Sequence, residues 1–154
     1  MRVGVAGDHA GFESKNLALE ILRNLGHDAV DYGPTAYDSA DDYPDFAFLL
    51  ADAVASGKVE RGILACGSGV GASVAANKVP GVRAAICHDT YSAHQGVEHD
   101  DMNILCLGGR IVASALEQEL IEAFMSASFT HEDRHTRRLN KVLERERKTA
   151  TGQN

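Results

Sequence analysis

Short apolar runs alternate along the chain with longer segments in which apolar residues recur every three or four positions. Apolar runs of this length that end near Gly, Asp or His are typical of strands buried in a parallel sheet. The predicted strands are Arg2–Ala6, Asp28–Tyr32, Gly62–Cys66, Arg83–Cys87 and Asn103–Leu107.

Helical spacing occupies the intervals between these runs. In the first interval Leu17, Ile21, Leu22 and Leu25 form one apolar face, and Gly26 follows as a C-cap. Further helices are predicted from Pro44 to Gly57, directly after the glycines of CGSGVG, at Thr90–His99 and near Ala113–Ala127.

Strands that alternate with helices form a parallel sheet whose two faces are both covered. The pattern therefore predicts a doubly wound α/β fold, Rossmann-like or flavodoxin-like, with a five-stranded parallel sheet and helices on both faces. One domain spans residues 1–154. For five strands the leading order is 2-1-3-4-5, which puts the switch point between the first and third strands.

A polar C-terminal segment, about residues 128–148, follows the last predicted strand and helix. It has the spacing of a helix but few apolar positions, so it is expected to be a helical arm that is solvated or packs on another subunit. Its histidines, His131 and His135, are expected to be solvated, and residues 149–154 are expected to be frayed.

Composition excludes several classes of protein and of binding partner. The chain is 44% hydrophobic and 24% charged, as globular proteins are, and no apolar run approaches the length of a membrane span. A net charge of −7 argues against nucleic acid or a membrane as partner, although local arginines can still hold a small anion. With no secretion signal and an odd number of cysteines, the chain is expected to be cytoplasmic with free thiols.

Chemically active side chains follow the predicted strands. Ligands of open α/β sheets bind beyond the carboxyl ends of the strands, near the switch point. The residues placed there are Asp8 and His9, Asp42 and Tyr43, Cys66 to Gly71, His88 and Asp89, and Gly108 to Arg110.

The glycine-rich loop begins at Cys66. Gly67, Gly69 and Gly71 match neither the dinucleotide fingerprint nor a Walker A loop, but their amides predict an anion site for a phosphate or an oxyanion. Amides and a helix N-terminus favour a thiolate, so we interpret Cys66 as a catalytic group. The alternative, a small apolar core residue, is the interpretation for Cys87 and Cys106.

Histidines and arginines supply further candidates. His9 lies at the switch crevice and His99 just before the fifth strand, whereas the acidic stretch DSADDYPD is predicted to be a solvated loop. Arg134 and Arg138 share a helix face and, with Arg110, predict either a phosphate clamp or surface ion pairs. No recognised ligand spacing occurs, so no metal is expected.

Four segments together resemble one known family. GDHAGF, DYPDFA, CGSGVGASVAANKVPGVRAAICHDTYSA and EHDDMNILCLGGR are similar in sequence and order to the ribose-5-phosphate isomerase B family, over about residues 1–145. That family includes galactose-6-phosphate and allose-6-phosphate isomerases. The resemblance implies an aldose–ketose isomerase of sugar phosphates that needs no metal or cofactor. It also implies a homodimer or dimer of dimers with active sites between subunits.

The resemblance also implies residue roles. Cys66 is the base that moves a proton between C1 and C2, and Ser68 relays the hydroxyl proton. His99 opens the furanose ring, while Asp8 holds its ring oxygen or a hydroxyl. The amides of Gly67, Gly69 and Gly71 hold the enediolate, Tyr43 lines the sugar site, and the phosphate is bound by His9, Arg110, Arg134 and Arg138.

Asp100 departs from the family pattern, which has Asn after this histidine. An ionised carboxylate only accepts hydrogen bonds, whereas an amide also donates. We expect Asp100 to bind the substrate, so this difference affects which sugar phosphate the site accepts. Ribose 5-phosphate is the leading substrate, and allose 6-phosphate, galactose 6-phosphate and a tetrose phosphate are the alternatives. A non-catalytic phosphate-binding module is a further alternative, but it gives no role to Cys66, His99 or the arginine arm. A cysteine phosphatase is another, but Ala72 stands where its loop would have Arg.

Overall fold

The protein, seen in a computed structural model that describes residues 1–152, contains a five-stranded parallel sheet. This confirms the predicted fold class. The described strands lie within one or two residues of the predicted runs. They are β1 (Arg2–Gly7), β2 (Asp28–Asp31), β3 (Arg61–Cys66), β4 (Ala84–Ile86) and β5 (Ile104–Gly108).

Helices lie between the strands and two more follow β5, as the spacing of apolar residues predicts. They are α1 (Phe12–Asn24), α2 (Tyr43–Ala55), α3 (Val70–Ala76), α4 (Thr90–Asp100), α5 (Ser114–Ser126) and α6 (Asp133–Ala150). A short 3-10 turn at His9–Gly11 precedes α1. No helix among the described residues has the length and apolar character that crossing a membrane requires.

The core has two layers, one on each face of the sheet. Alternate residues of a strand point to opposite faces, so neighbours such as Ile63 and Leu64 belong to different layers. Helices α1, α4 and α5 pack on the layer with Ile63, through residues such as Leu22 and Phe124. Helices α2 and α3 cover the other layer, which includes Cys66. Both faces of the sheet are thereby removed from water.

The strand order is 2-1-3-5-4, so the predicted order 2-1-3-4-5 is wrong for the last two strands. Strand β5 pairs with β3 on one side and with β4 on the other. All five residues of β5 are buried, which suits a central position, whereas β4 has only three residues and none is buried. The predicted switch point is confirmed, because β1 pairs with both β2 and β3.

The C-terminal arm is helical, but α6 begins at Asp133 and continues to Ala150, so the predicted limits are a few residues too early. Residues 149 and 150 are thus helical rather than frayed, and residues 153 and 154 lie outside the described part of the chain. His131 is exposed as expected, but His135 is only 1% exposed. The prediction that His135 is solvated is wrong, because its ring packs against α4.

Candidate active site

Strand register brings three segments to one edge of the sheet. Gly7 pairs with Ala65, and Cys66 pairs with Gly108, so the residues that follow β1, β3 and β5 emerge side by side. The backbone N–H of Asp8 also donates to the carbonyl of Ala65, at 3.2 Å. The switch point therefore places Asp8 next to Cys66, as the fold class predicts.

Cys66 lies at the end of β3 with 5% of its surface exposed. Its Sγ accepts a hydrogen bond from the N–H of Gly69, at 3.1 Å. Gly69 has φ of +82°, a conformation that L residues rarely adopt, and it is the N-cap of α3. The glycine therefore lets the chain turn so that its amide, at the N-terminus of α3, faces the sulfur.

A cleft of about 430 Å³ opens above this sulfur. It contains acidic, imidazole, thiol, hydroxyl and guanidinium side chains, a mixture that suits a small polar anion. Its lining residues are Asp8, His9, Ala10, Tyr43, Cys66, Gly67, Ser68, Gly71, Arg110 and Ile111. We call this cavity the Cys66 cleft.

The wall formed by the glycine loop is fitted closely to Tyr43. A Cβ added at Gly71 would lie 2.8 Å from Cζ of the Tyr43 ring. Only glycine therefore leaves room for the ring at this wall. The exposed Ser68 lies on the same loop, where its Oγ accepts from the N–H of Val70 at 3.3 Å. The loop thus presents both amides and a hydroxyl to the cleft.

Arg110 reaches the cleft from the loop after β5. Its backbone N–H donates to the carbonyl of Gly67 at 3.1 Å, and the N–H of Gly109 donates to the carbonyl of Cys66 at 2.8 Å. These bonds tie the two loops together, so the guanidinium is carried on backbone that also holds the thiol. Asp8, which also lines the cleft, is 6% exposed, and one of its carboxylate oxygens accepts from the N–H of Gly11 at 2.9 Å.

His9 is paired with Asp41, a residue that the sequence analysis did not single out. One carboxylate oxygen of Asp41 is 2.7 Å from Nδ1 of His9 and accepts the backbone N–H of His9 at 3.0 Å. This hydrogen bond raises the pKa of His9 above its ordinary value, although partial burial opposes it. The side chain of Asp41 is only 9% exposed, so the prediction that its acidic stretch is a solvated loop is wrong for Asp41.

His99 lies outside the Cys66 cleft, on a separate depression beside α4. Its ring stacks on the buried ring of His135, with centroids 3.9 Å apart. Nδ1 of His99 is 2.6 Å from Nε2 of Gln95, and Nδ1 of His135 is 2.7 Å from Oγ1 of Thr130. Burial and the neighbouring His99 lower the pKa of His135 below its ordinary value, so the buried ring stays neutral at physiological pH.

Arg134 and Arg138 flank this pair. Both act electrostatically on His135, and both are exposed on α6. Nε of Arg134 bonds a carboxylate oxygen of Glu132 at 2.8 Å, while Asp100 is exposed at the end of α4. His99, Asp100, Arg134, His135 and Arg138 form what we call the His99 group.

The predicted site residues thus divide into two sets within one chain. The Cys66 cleft contains Asp8, His9, Tyr43, Cys66, Gly67, Ser68, Gly71 and Arg110, and Gly69 donates to the sulfur from below. His99, Asp100, Arg134 and Arg138 do not line it. The sequence analysis did not predict roles for His135 and Asp41. Both make their contacts because they are buried, and a polar segment gives no sign of which of its side chains will be buried. Within residues 1–152, no cluster of metal-ligating side chains is present.

The other two cysteines are core residues, as predicted. Cys106 is completely buried and Cys87 is 4% exposed. Burial raises the pKa of Cys87 to about 11 and also raises that of Cys106, so neither thiol ionises readily. Cys66 is therefore distinguished from both by its amide partner and by its place in a cleft.

Comparisons with known proteins show which family the chain resembles. A profile of the Ribose/Galactose Isomerase family matches residues 3–142. The chain is 41% identical to the putative sugar phosphate isomerase YwlF of Bacillus subtilis, over 96% of this chain and 99% of the relative. It is 39% identical to a D-erythrulose-4-phosphate isomerase of Pectobacterium atrosepticum, over 84% of this chain and 85% of the relative.

A solved structure shows the same fold. The ribose-5-phosphate isomerase B of Mycoplasma genitalium, crystallised with bound ribulose-5-phosphate, superposes with a TM-score of 0.90 at 40% identity. The match covers 95% of this chain and 96% of that one. With nearly the whole chain matched in both sequence and structure, this protein belongs to the Ribose/Galactose Isomerase family.

Proposed function

We propose that this protein is an aldose–ketose isomerase that interconverts ribose 5-phosphate and ribulose 5-phosphate. The observation that carries the proposal is the position of the Cys66 sulfur, which lies under the Gly69 amide in a cleft that also holds His9 and Arg110. A base beside an anion-stabilising loop is what proton abstraction next to a carbonyl requires. An imidazole and a guanidinium in the same cleft suit the phosphate.

The proposed reaction moves one proton between neighbouring carbons. The thiolate of Cys66 removes the proton from C2 of the open-chain aldose, and the electron pair moves to the carbonyl oxygen to form a cis-enediolate. The amides of Gly67, Gly69 and Gly71 stabilise that negative charge. The Cys66 thiol then returns the proton to C1, while Ser68 relays the hydroxyl proton from O2 to O1. Atoms and charge balance, and no redox cofactor is required.

We further propose that a second copy of the chain completes the site. His99, which would open the furanose ring, and Arg134 and Arg138, which would bind the phosphate, lie outside the Cys66 cleft of their own chain. In a two-fold symmetric dimer a contact between residue i of one protomer and residue j of its partner is repeated as j with i, so the His99 group of each protomer can face the Cys66 cleft of the other. The exposed apolar residues Val70 and Ile111, each over half exposed next to the cleft, support burial there.

Asp100 supports a second candidate substrate. It is exposed beside His99, where a carboxylate can accept from a sugar hydroxyl but cannot donate to a sugar oxygen. Because one similar protein is a D-erythrulose-4-phosphate isomerase, a tetrose phosphate is the alternative that most needs testing. Allose 6-phosphate and galactose 6-phosphate belong in the same panel. All share the aldehyde, the adjacent hydroxyl and the phosphate that the cleft suits.

The test is turnover of ribose 5-phosphate by the wild type and by Cys66→Ala, in buffer containing a chelator. We expect ribulose 5-phosphate to form with the wild type and the rate to fall by about a thousand-fold or more in the variant, as loss of a catalytic base predicts. Cys87→Ala is the matched control, because Cys87 is an equally buried free thiol outside the cleft. It should retain most of the activity.

Each outcome has a distinct meaning. Turnover that survives Cys66→Ala would contradict the cysteine mechanism, since the described cleft contains no other thiol. If the wild type ignores ribose 5-phosphate but isomerises another aldose phosphate, the reaction class is right and the leading substrate is wrong. If none of the four sugar phosphates reacts, the proposed function is wrong.

A further inference from the structure

We propose that Asp41 is a positioning residue that holds His9 in its doubly protonated form, so that the imidazolium donates a hydrogen bond to the phosphate of the substrate. The idea rests on the proposed function for the identity of the anion. The effect of Asp41 on the charge of His9 depends only on contacts that the structure describes, and inorganic phosphate is sufficient to test it.

The contacts determine which nitrogen of His9 carries a proton. One oxygen of the Asp41 carboxylate receives both the backbone N–H and the ring Nδ1 of His9, at 3.0 and 2.7 Å. Because a carboxylate only accepts hydrogen bonds, Nδ1 must be the donor. In neutral His9 the other nitrogen, Nε2, therefore has a lone pair and no proton.

The state of Nε2 determines whether the cleft attracts an anion. His9 lines the Cys66 cleft, and its Nε2 bonds no residue that the structure describes. Phosphate oxygens are acceptors, so a lone pair at Nε2 repels them, whereas Nε2–H provides a charge-assisted hydrogen bond. With Nδ1 already committed to Asp41, only the imidazolium can both keep that bond and bind phosphate.

Burial of Asp41 favours the imidazolium. The second carboxylate oxygen is buried and has no hydrogen-bond partner among the described residues. Burying an ionised carboxylate costs free energy unless a positive charge lies beside it. In the described part of the chain, His9 is the only basic side chain within ion-pair distance of the Asp41 carboxylate. Protonation of His9 converts this contact into an ion pair and relieves that cost.

The other groups around His9 act in both directions. Asp8, which precedes His9, raises its pKa, and Arg110, on the loop after β5, lowers it. The ring of Tyr37 meets the imidazole edge to face, at 6.3 Å between ring centroids. The hydrogen bond that His9 donates to Asp41 is the largest influence on the pKa of His9, which is raised. Removal of the Asp41 charge should therefore lower it.

Phosphate binding should weaken as the pH rises. A raised pKa means that His9 is charged below that pKa and becomes neutral as the pH rises through it, and anion binding weakens with it. Without the charge of Asp41 the same loss occurs at lower pH. The wild type and a variant should then differ near pH 7.5 and converge under acidic conditions, where both are protonated. A merely structural defect would weaken binding at every pH.

The test is Asp41→Asn, which keeps an oxygen acceptor and removes the charge. NMR titration of the His9 ring in the unliganded protein should show a lower pKa than in the wild type. Calorimetry with inorganic phosphate should show about ten-fold weaker binding near pH 7.5 and less than about two-fold near pH 5.5. Comparison at each pH cancels the ionisation of phosphate itself. The matched control is Asp38→Asn, an exposed carboxylate of the same loop that does not bond His9.

A second variant keeps the proposal falsifiable if Asp41→Asn folds poorly. His9→Gln leaves Asp41 in place, and phosphate binding by this variant should lose the weakening that the wild type shows as the pH rises through the His9 pKa. The same weakening in both proteins would overturn the proposal. An unchanged His9 titration in Asp41→Asn, or equal weakening at both pH values, would overturn the proposal. Isomerase activity of the wild type is measured separately. Its absence would count against the proposed function, whereas the His9 titration and the phosphate affinities would still decide the role of Asp41.

Discussion

Two inactive variants should restore activity when they assemble together, if each active site takes residues from two protomers. One variant carries Cys66→Ala and so lacks the base in the Cys66 cleft. The other carries His99→Asn together with Arg138→Ala, and so lacks two members of the His99 group. Both lesions of the second variant lie outside the cleft that contains Cys66. Neither variant alone has a complete site.

The expected recovery follows from this separation. In a hybrid dimer one site receives both lesions, whereas the other receives an unmodified Cys66 cleft and an unmodified His99 group. Random exchange of equal amounts makes about half of the dimers hybrid, so the mixture should regain about one quarter of the wild-type activity. A hybrid purified with two different affinity tags should have about half.

The assay measures the formation of ribulose 5-phosphate after the two variants have been unfolded and refolded together. The matched control mixes Cys66→Ala with Arg110→Ala, because these two lesions lie in the same cleft. Each site of that hybrid is damaged, so activity should not exceed the sum of the parents. Recovery in the control, or its absence in the test mixture despite hybrid formation, would refute the division of the site between protomers.

Two further predictions concern single residues. Gly71→Ala should raise KM by about ten-fold or more in the isomerase assay, since its Cβ would lie 2.8 Å from the Tyr43 ring; Gly71→Ala with Tyr43→Ala should recover part of the loss. Glu117, 2% exposed and bonded by Ser14, has its pKa raised to about 7 by burial. Folding therefore favours the protonated form of Glu117, and the free energy of unfolding should fall by about 3 kcal/mol as the pH rises from about 4.5 to above 7. Urea unfolding of the wild type and of Glu117→Gln measures this loss, which the variant should lack. An equal pH dependence in both proteins would contradict the prediction.

Local elements of the fold were predictable because local sequence carries their signal. The periodicity of apolar residues defines α1 and β3, and Gly69 with its neighbours marks the turn between β3 and α3. The placement of Asp8 and Cys66 at one edge was also predictable. Any doubly wound parallel sheet brings the carboxyl ends of its central strands together at the switch point.

Strand order was not predictable to the same degree. The positions of β4 and β5 depend on how many buried residues each can offer to both faces of the sheet, which is a comparison between distant segments. The flavodoxin-like order, taken as the leading one for five strands, therefore gave the wrong neighbours for β4 and β5. The two predicted runs are equally long, and only the structure shows that β4 has three residues and β5 has five.

By itself, then, the sequence determined the elements, the glycine loop and the residue types at the ends of the strands, because these depend on neighbours along the chain. The tertiary structure alone decided which polar side chains are buried together. The bond of Asp41 to His9 joins residues 32 positions apart, and the stack of His135 on His99 joins α6 to α4. The polar stretches that contain Asp41 and His135 were predicted to be solvated, because burial of a polar side chain depends on which distant segments pack over it.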